Sequence, residues 1–553
     1  MEFLKRRAFA NVTWGELLFV GVAATLAAWI SWALVHFRGT EWDTLLYLNT
    51  AQSPEPNGAI LNRYTHIYLQ KIFLLFFSPL DAAKALWAFQ IYATGVLVYL
   101  CAKLLNPRNG VLTGAFALLF YFAQRELFTR SGVPLVDFTT MHLIVIGVFI
   151  FLLYLRSEKR PAALLILLGL VQFLLLKSKE TGIIAVPLLT GAVLLSARDW
   201  RGRGHAALLV LGGGLAGIAL FVVLDGLFLG DPLFSLRPEN WRALLTFNLT
   251  LVYEQRASES WFYHLFTTAL LIPFLFSVFV LLDDKKGDYG LGERMIWTVP
   301  LIHILFLSVV IFRASFPLHF RYFYPSIPII AILGAQFLQW RDRKQRQRAW
   351  ILLAASAAVA GLLLLFLYPF AAGLTYRWTE ENFFSSIVTG LVLAGLFGVL
   401  LLNDSPKWSR SLLLIPFVAI LLFTPVLRIP SEMAATRQIS ELGFSPFSIY
   451  KENIVVREGA RLFFSGQPYA EYGILGRNSG SSEYMLEAYF DVQIERVDYS
   501  EDILDVLLGD YDYGFVTRAE FATAFIDDDL AQKGYTVVDD PRSEIILIAR
   551  MAP

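Results

Sequence analysis

The sequence predicts a mainly α, polytopic membrane helical bundle that ends in a small C-terminal α/β extracytoplasmic domain. Three observations predict it. Of the 553 residues, 56% are hydrophobic and only 17% charged, where soluble chains carry about 25% charge. Apolar runs recur from residue 14 to residue 427, many near the length of about 20 residues that crosses the hydrocarbon layer. Beyond Pro430 the balance of charge reverses. Residues 431–553 hold 22 Asp+Glu against 10 Lys+Arg, and residues 1–430 hold 24 against 36. A single soluble core stops growing near about 250–300 residues. This much apolar sequence therefore excludes a soluble enzyme, a disordered protein and a disulfide scaffold; Cys101 is the only cysteine.

The first element is a basic start, MEFLKRR, followed by the run 14–36. That run is too long for a signal peptide, so it reads as a retained first helix. About thirteen spans follow from the apolar runs: 14–36, 85–102, 111–124, 137–155, 162–176, 183–197, 206–228, 264–282, 295–312, 322–340, 350–370, 384–402 and 411–427. The stretch 67–80 is apolar but only 14 residues long and broken by Gln70 and Lys71. It is too short to span and reads as a helix lying in the interface.

Lys and Arg set the orientation. With the N-terminus cytoplasmic, the inside loops total 64 residues and carry 21 Lys+Arg, about one in three. The outside loops total 123 residues and carry 14, about one in nine. The block Arg341, Arg343, Lys344, Arg346 and Arg348 then lies inside, and thirteen crossings put the acidic C-terminal domain outside. The division is a transmembrane module, 1–430, and a soluble domain, 431–553. In the latter, 461–466, 492–497, 513–518 and 544–549 read as strands, and 482–490, 501–508 and 519–532 as helices. That alternation gives a small α/β domain without a phosphate loop, metal-ligand cluster or nucleophile elbow.

Ionisable groups at membrane depth or at helix mouths are costly, which marks them as functional candidates. They gather on the outside face. Glu41 and Asp43 flank Trp42 just after the first span, and Tyr47 lies one helical turn beyond Asp43. A carboxylate at a water–lipid boundary beside aromatic rings can act as a base. Arg63, His66 and Lys71 share the same long loop. Lys177, Lys179 and Glu180 interrupt an apolar run. Arg313, His319 and Arg321 stand at another mouth with Tyr322 and Tyr324 behind them; a guanidinium fork suits a phosphate. Arg125, Glu126, Arg130 and Asp137 add a further group, and Trp241, Arg256 and His264 could line a substrate mouth. Asp225 and Glu16 are the notable acids inside apolar runs. A positive clamp on a phosphate leaving group, with a carboxylate that deprotonates an incoming hydroxyl, needs this distribution.

The words EWDTLLYLNTAQ, KSKETGIIAVP and FRYFYPSIPIIAILGA, in that order and on that side of the membrane, resemble the polyprenyl-phosphate-sugar-dependent glycosyltransferases of the GT-C class. The resemblance is to the protein O-mannosyltransferase and lipid A aminoarabinose transferase branch, and covers roughly residues 10–340. It implies that Asp43 is the catalytic base, that the sugar C1 is attacked in line with inversion, and that polyprenyl phosphate leaves. Lys179, Arg313 and Arg321 would then hold the phosphate. Glu41, Tyr47, Arg63, His66, Lys177, Glu180 and Tyr322 complete the substrate-binding set. Thr44 stands where many members carry Glu, and Thr65-His66-Ile67 stands near the place of a His-Pro-Pro word. Some members use a divalent metal at the Asp; the acids here are too few to argue for one, and Glu41 beside Asp43 leaves the point open. The implied partners are a polyprenyl-phosphate-linked sugar donor, a lipid, glycan or protein acceptor, and membrane lipids, with no nucleic acid. Compact loops without disulfides lean towards a bacterial plasma membrane. A lipid-linked-sugar flippase or secondary transporter is the alternative, but such folds often show internal repeats and midplane sites.

Overall fold

A computed structural model describes residues 14–34, 47–48, 50–52, 63–106, 110–122, 136–157, 160–197, 199–238, 290–303, 324–338, 462–465, 494–497, 512–517, 521, 527–532, 534–538 and 545–550. The spans expected at 264–282, 350–370, 384–402 and 411–427 lie outside these residues, as do the helices expected at 482–490 and 501–508.

Among the described residues, three helices are long and apolar enough to cross a membrane: Asp81–Leu105, Val136–Arg156 and Trp200–Leu229. Shorter apolar helices cover Trp14–Trp29, Gly110–Phe122, Ala162–Leu176, Thr181–Ser196 and Tyr324–Gln336. Local chemistry sets the ends. Ser78-Pro79 opens the helix Pro79–Leu105, where the missing proline N–H costs nothing. The Asp199 carboxylate accepts from the Gly202 N–H at 2.6 Å and starts the helix Trp200–Leu229. Gly230, in the left-handed conformation at φ 70°, stops it.

Burial sorts these helices into inner and outer. Val136–Arg156 is enclosed over most of its length and packs against the helices 79–105, 162–176 and 185–196. Trp200–Leu229 exposes Leu208, Leu211, Leu215, Val223 and Leu227, the surface of a helix facing hydrocarbon. Trp14–Leu34 does the same with Trp14, Leu18, Val22 and Trp29, while its buried Glu16 pairs with Lys103. Helices 162–176 and 200–229 cross at Gly169 and Gly213. A Cβ on either glycine would meet the other helix's backbone oxygen at 1.9 Å, so only glycine permits this approach.

Two expectations need correction. The segment 67–80 is not one interfacial helix. It is the helix Tyr64–Leu74, whose Tyr64, Thr65, His66, Ile67, Tyr68, Gln70 and Lys71 are buried in protein. Ile72 and the trailing Leu75, Phe76 and Phe77 are exposed. The start of the 295–312 span is also interrupted: the helix Leu291–Trp297 turns at Thr298 before continuing to His303.

The four segments read as strands are strands: β1 Leu462–Ser465, β2 Ile494–Val497, β3 Tyr513–Thr517 and β5 Ile545–Arg550. A strand the sequence reading missed, β4 Tyr535–Val538, follows Gly534 at φ 84°. The sheet order is β2-β1-β3-β5-β4. β1 runs parallel to β2 and β3, and β5 runs antiparallel to β3 and β4. Of the expected helix 519–532, Asp527–Gln532 is described as a helix.

Candidate active site

Chain direction brings the polar clusters to one end of the bundle. Helix 136–156 begins there, and helices 162–176 and 200–229 end there. The opposite end is marked by Arg156, which donates to Glu293 at 3.1 Å, and Arg160, which donates to the Ser196 carbonyl at 3.2 Å.

The centre of the site is a buried ion pair. Lys179 Nζ donates to Asp137 Oδ1 at 2.6 Å and to Oδ2 at 2.7 Å. Asp137 opens helix 136–156, and Lys179 precedes the 3-10 turn Glu180–Ile184. The turn is held in place from below and beside. Ser178 Oγ meets Thr140 Oγ1 at 3.1 Å. The Thr65 N–H donates to the Lys177 carbonyl at 2.9 Å, and Thr65 Oγ1 to the Leu174 carbonyl at 2.8 Å. Helix 64–74 is thereby fixed over the Lys-Ser-Lys turn.

His66 lies beside the pair. Its Nδ1 meets Thr139 Oγ1 at 2.8 Å, and the same hydroxyl oxygen accepts from Gln90 Nε2 at 2.7 Å. Burial pulls the His66 ring down from 6.5 to about 3; Arg63 and Lys179 add to the effect and Asp137 opposes it. A ring that is neutral at physiological pH can donate or accept but cannot act as a cationic clamp. Tyr47 packs edge-on to His66 with ring centroids 5.4 Å apart, and the Arg63 guanidinium stands 5.4 Å above the Tyr47 ring. His303 Nδ1 meets Ser326 Oγ at 2.7 Å. Phe138 packs on Tyr324 at 4.7 Å and on Trp87 at 5.7 Å, closing the wall next to Asp137.

A second network lies at the same end. Asp225 is fully buried near the end of helix 200–229. It accepts from the Tyr68 hydroxyl, from the Ser235 N–H at 2.8 Å and from Ser235 Oγ at 2.7 Å. Lys177 Nζ donates to the Ser235 carbonyl at 2.6 Å. Burial lowers the Lys177 ammonium from 10.5 to about 8, against the pull of Asp225. The turn after Gly230 folds back so that Ser235 bridges the acid and the lysine. Tyr68, Phe173, Phe221 and Phe228 pack around it.

The structure therefore gathers Tyr47, Arg63, His66, Lys179 and the backbone of Glu180 from the residues singled out in the sequence. It assigns Lys177 to the Asp225 network rather than to the same centre. Both lysines hold protein oxygens: Lys179 the Asp137 carboxylate and Lys177 the Ser235 carbonyl. Glu41, Asp43, Arg313, Arg321 and Tyr322 lie outside the described residues. Sequence reading passed over His303, a single histidine in an apolar run. It noted Asp225 without giving it a role, although a fully apolar flank on both sides of an acid was the available signal. Among the described residues, no three His, Cys, Asp or Glu side chains stand together as a metal site.

Neither the protein-family models nor the curated proteins match the chain. Among solved structures it resembles ArnT from Cupriavidus metallidurans bound to undecaprenyl phosphate. The TM-score is 0.57 at 17% identity, over 98% of this chain and 99% of that one. The apo state of the same protein gives 0.56 at 16% identity, again over 98% and 99%. The likeness is one of fold, and it runs the length of both chains. The fold likeness is to a membrane protein crystallised with undecaprenyl phosphate.

Proposed function

We infer that this chain is an integral-membrane glycosyltransferase that moves a sugar from a polyprenyl-phosphate donor to an acceptor hydroxyl on the extracytoplasmic side. The observation that carries the reading is the joint occurrence of an ArnT-like fold along 98% of the chain and a buried polar centre at one end of the bundle, around Asp137 and Lys179. A costly ion pair kept at a helix mouth supports a site of chemistry.

In this reading Asp43 is the base. Its carboxylate takes the proton of the acceptor hydroxyl, the hydroxyl oxygen bonds to the sugar C1, and the bond from C1 to the phosphate oxygen breaks. Polyprenyl phosphate leaves with that electron pair, and C1 is inverted. Arg63, half-buried above Tyr47, is the cation of the described set best suited to the phosphate, with Arg313 and Arg321 as further holders. Lys179 acts by fixing Asp137, and Lys177 by fixing the turn at Ser235. Glu41, Glu180 and Tyr322 belong to the same outer face as substrate contacts. Residues 431–553 form the soluble extracytoplasmic domain, with the N-terminus cytoplasmic.

The test is sugar transfer by the purified protein from a panel of polyprenyl-phosphate sugars, with wild type compared against Asp43→Asn. Removal of a general base is expected to lower turnover by about 10²–10⁴-fold. Full turnover by the variant removes Asp43 from the mechanism, and translocation of the lipid-linked sugar without a new glycosidic bond refutes the transferase.

A further inference from the structure

Three polar atoms around the Asp137–Lys179 pair find no hydrogen-bond partner among the described residues: His66 Nε2, His303 Nε2 and the Tyr47 hydroxyl. Their side chains are 1%, 2% and 1% exposed, so bulk water does not satisfy them. Native proteins pair buried polar groups, because each orphan costs about 1–3 kcal/mol.

The three belong to one locality. The His66 and Tyr47 rings are in contact. Both imidazoles lie in the field of the same two charges, Asp137 and Lys179. Each imidazole is also anchored the same way. Nδ1 is tied to a hydroxyl of the scaffold, Thr139 for His66 and Ser326 for His303. That bond fixes the ring plane and leaves the opposite nitrogen open. A second tether holds the first case: Gln90 Nε2 donates to Thr139 Oγ1 at 2.7 Å. The site thus presents two imidazole edges and a phenol that both donates and accepts. The Asp137 charge beside them is already matched by Lys179.

We propose that His66 Nε2, His303 Nε2 and the Tyr47 hydroxyl form a subsite for the hydroxyl groups of the lipid-linked sugar ring. Groups that donate and accept without net charge match vicinal hydroxyls. A phosphate would instead seek cations, and an acyl chain would leave all three atoms unpaired. The inference rests on the transferase reading and adds to it the residues that recognise the sugar.

The experiment measures binding to the purified full chain of undecaprenyl-phosphate-linked glucose, mannose and arabinose, and of bare undecaprenyl phosphate. The variants are His303→Asn, His66→Asn and Tyr47→Phe. An Asn amide reaches the position of Nδ1 and keeps the Ser326 or Thr139 contact, but it has nothing at Nε2. Tyr47→Phe deletes one atom that has no protein partner, so it preserves the fold if the Asn variants do not. The expected result is an affinity loss of about tenfold per variant for the preferred sugar lipid, the worth of one buried hydrogen bond, with bare undecaprenyl phosphate unchanged. A histidine with a purely structural role would not move that ratio. Three variants that bind the sugar lipids like wild type, or that lose sugar lipid and bare lipid alike, overturn the subsite. So does a wild type that binds sugar-bearing and bare lipids equally. Failure of the transferase reading appears separately, as absence of glycosidic product from every donor.

Discussion

Helices 162–176 and 200–229 meet through glycine, and Gly213 sits in the run Gly212-Gly213-Gly214 that supplies its own controls. A Cβ at Gly213 would stand 1.9 Å from the Ile166 carbonyl oxygen, whereas real Cβ atoms essentially never come within 3.0 Å. Gly213→Ala therefore parts the helices by at least about 1.1 Å, the difference of those two distances. Overpacking of this kind costs about 1–3 kcal/mol. At Gly212 and Gly214 a Cβ meets nothing within 4 Å among the described residues. Alanine there gains helix propensity worth up to about 1 kcal/mol. The displacement also reaches the site. The same two helices lead to Lys177 and to the turn at Ser235, whose 2.6 Å bond lies at their site end. Thermal unfolding of the three variants in detergent, followed by tryptophan fluorescence, is the assay. Gly213→Ala is expected to melt below wild type, with Gly212→Ala and Gly214→Ala at or above it. Successive helical residues are about 100° apart. If either flanking variant is the most damaging, the contact face is wrong and the crossing with it.

Further outcomes follow from the buried charges. Asp137→Asn removes the carboxylate that Lys179 holds and is expected to cost about 3–5 kcal/mol, while Asp137→Asn with Lys179→Met recovers most of it. A double-mutant cycle on unfolding free energies reads the coupling, and additive losses would dissolve the pair. Lys177 binds its proton at about 8 in the folded state and near 10.5 when unfolded. The unfolded chain then holds more protons between these values, so stability rises as pH climbs through that window. Lys177→Met should flatten this rise in melting temperature. His66 protonates at about 3 folded against 6.5 unfolded. Its share of stability is full above 6.5 and drains away as the pH falls below it; His66→Asn should remove that acid limb from a pH–stability profile. Tyr68→Phe takes one donor from the buried Asp225 and should cost about 1–3 kcal/mol, measured by the same unfolding assay.

Run length and charge made much of the scaffold legible. The helix Ala162–Leu176 matches its apolar run, and Val136–Arg156 and Trp200–Leu229 lie close to theirs. Leu, Val and Phe continue until a charge or a proline stops them, and the backbone has no cheaper state in lipid. Partnerships were less legible. Lys177 and Lys179 stand two apart and read as one clamp. The chain turns at Lys177 and is extended at Lys179, φ −164° and ψ 156°, so one ammonium goes to Ser235 and the other to Asp137. Their partners lie 58 and 42 residues away in sequence, a separation no local pattern encodes. His66 had a signal only as a lone histidine; its tie to Thr139 spans 73 positions. The strand Tyr535–Val538 was missed because four residues after a glycine carry too little alternation to register.

Helix 136–156 packs on helix 79–105, made before it, and on helices 162–176 and 185–196, which are not yet made when it leaves the ribosome. Asp137 must wait 42 residues for Lys179, and Arg156 must wait 137 residues for Glu293. At about 5–20 residues per second, the first wait lasts a few seconds and the second several times longer. Each terminal charge of this central segment therefore spends its early life unmatched at a bilayer surface, and the tighter of its two bonds is the first to become available.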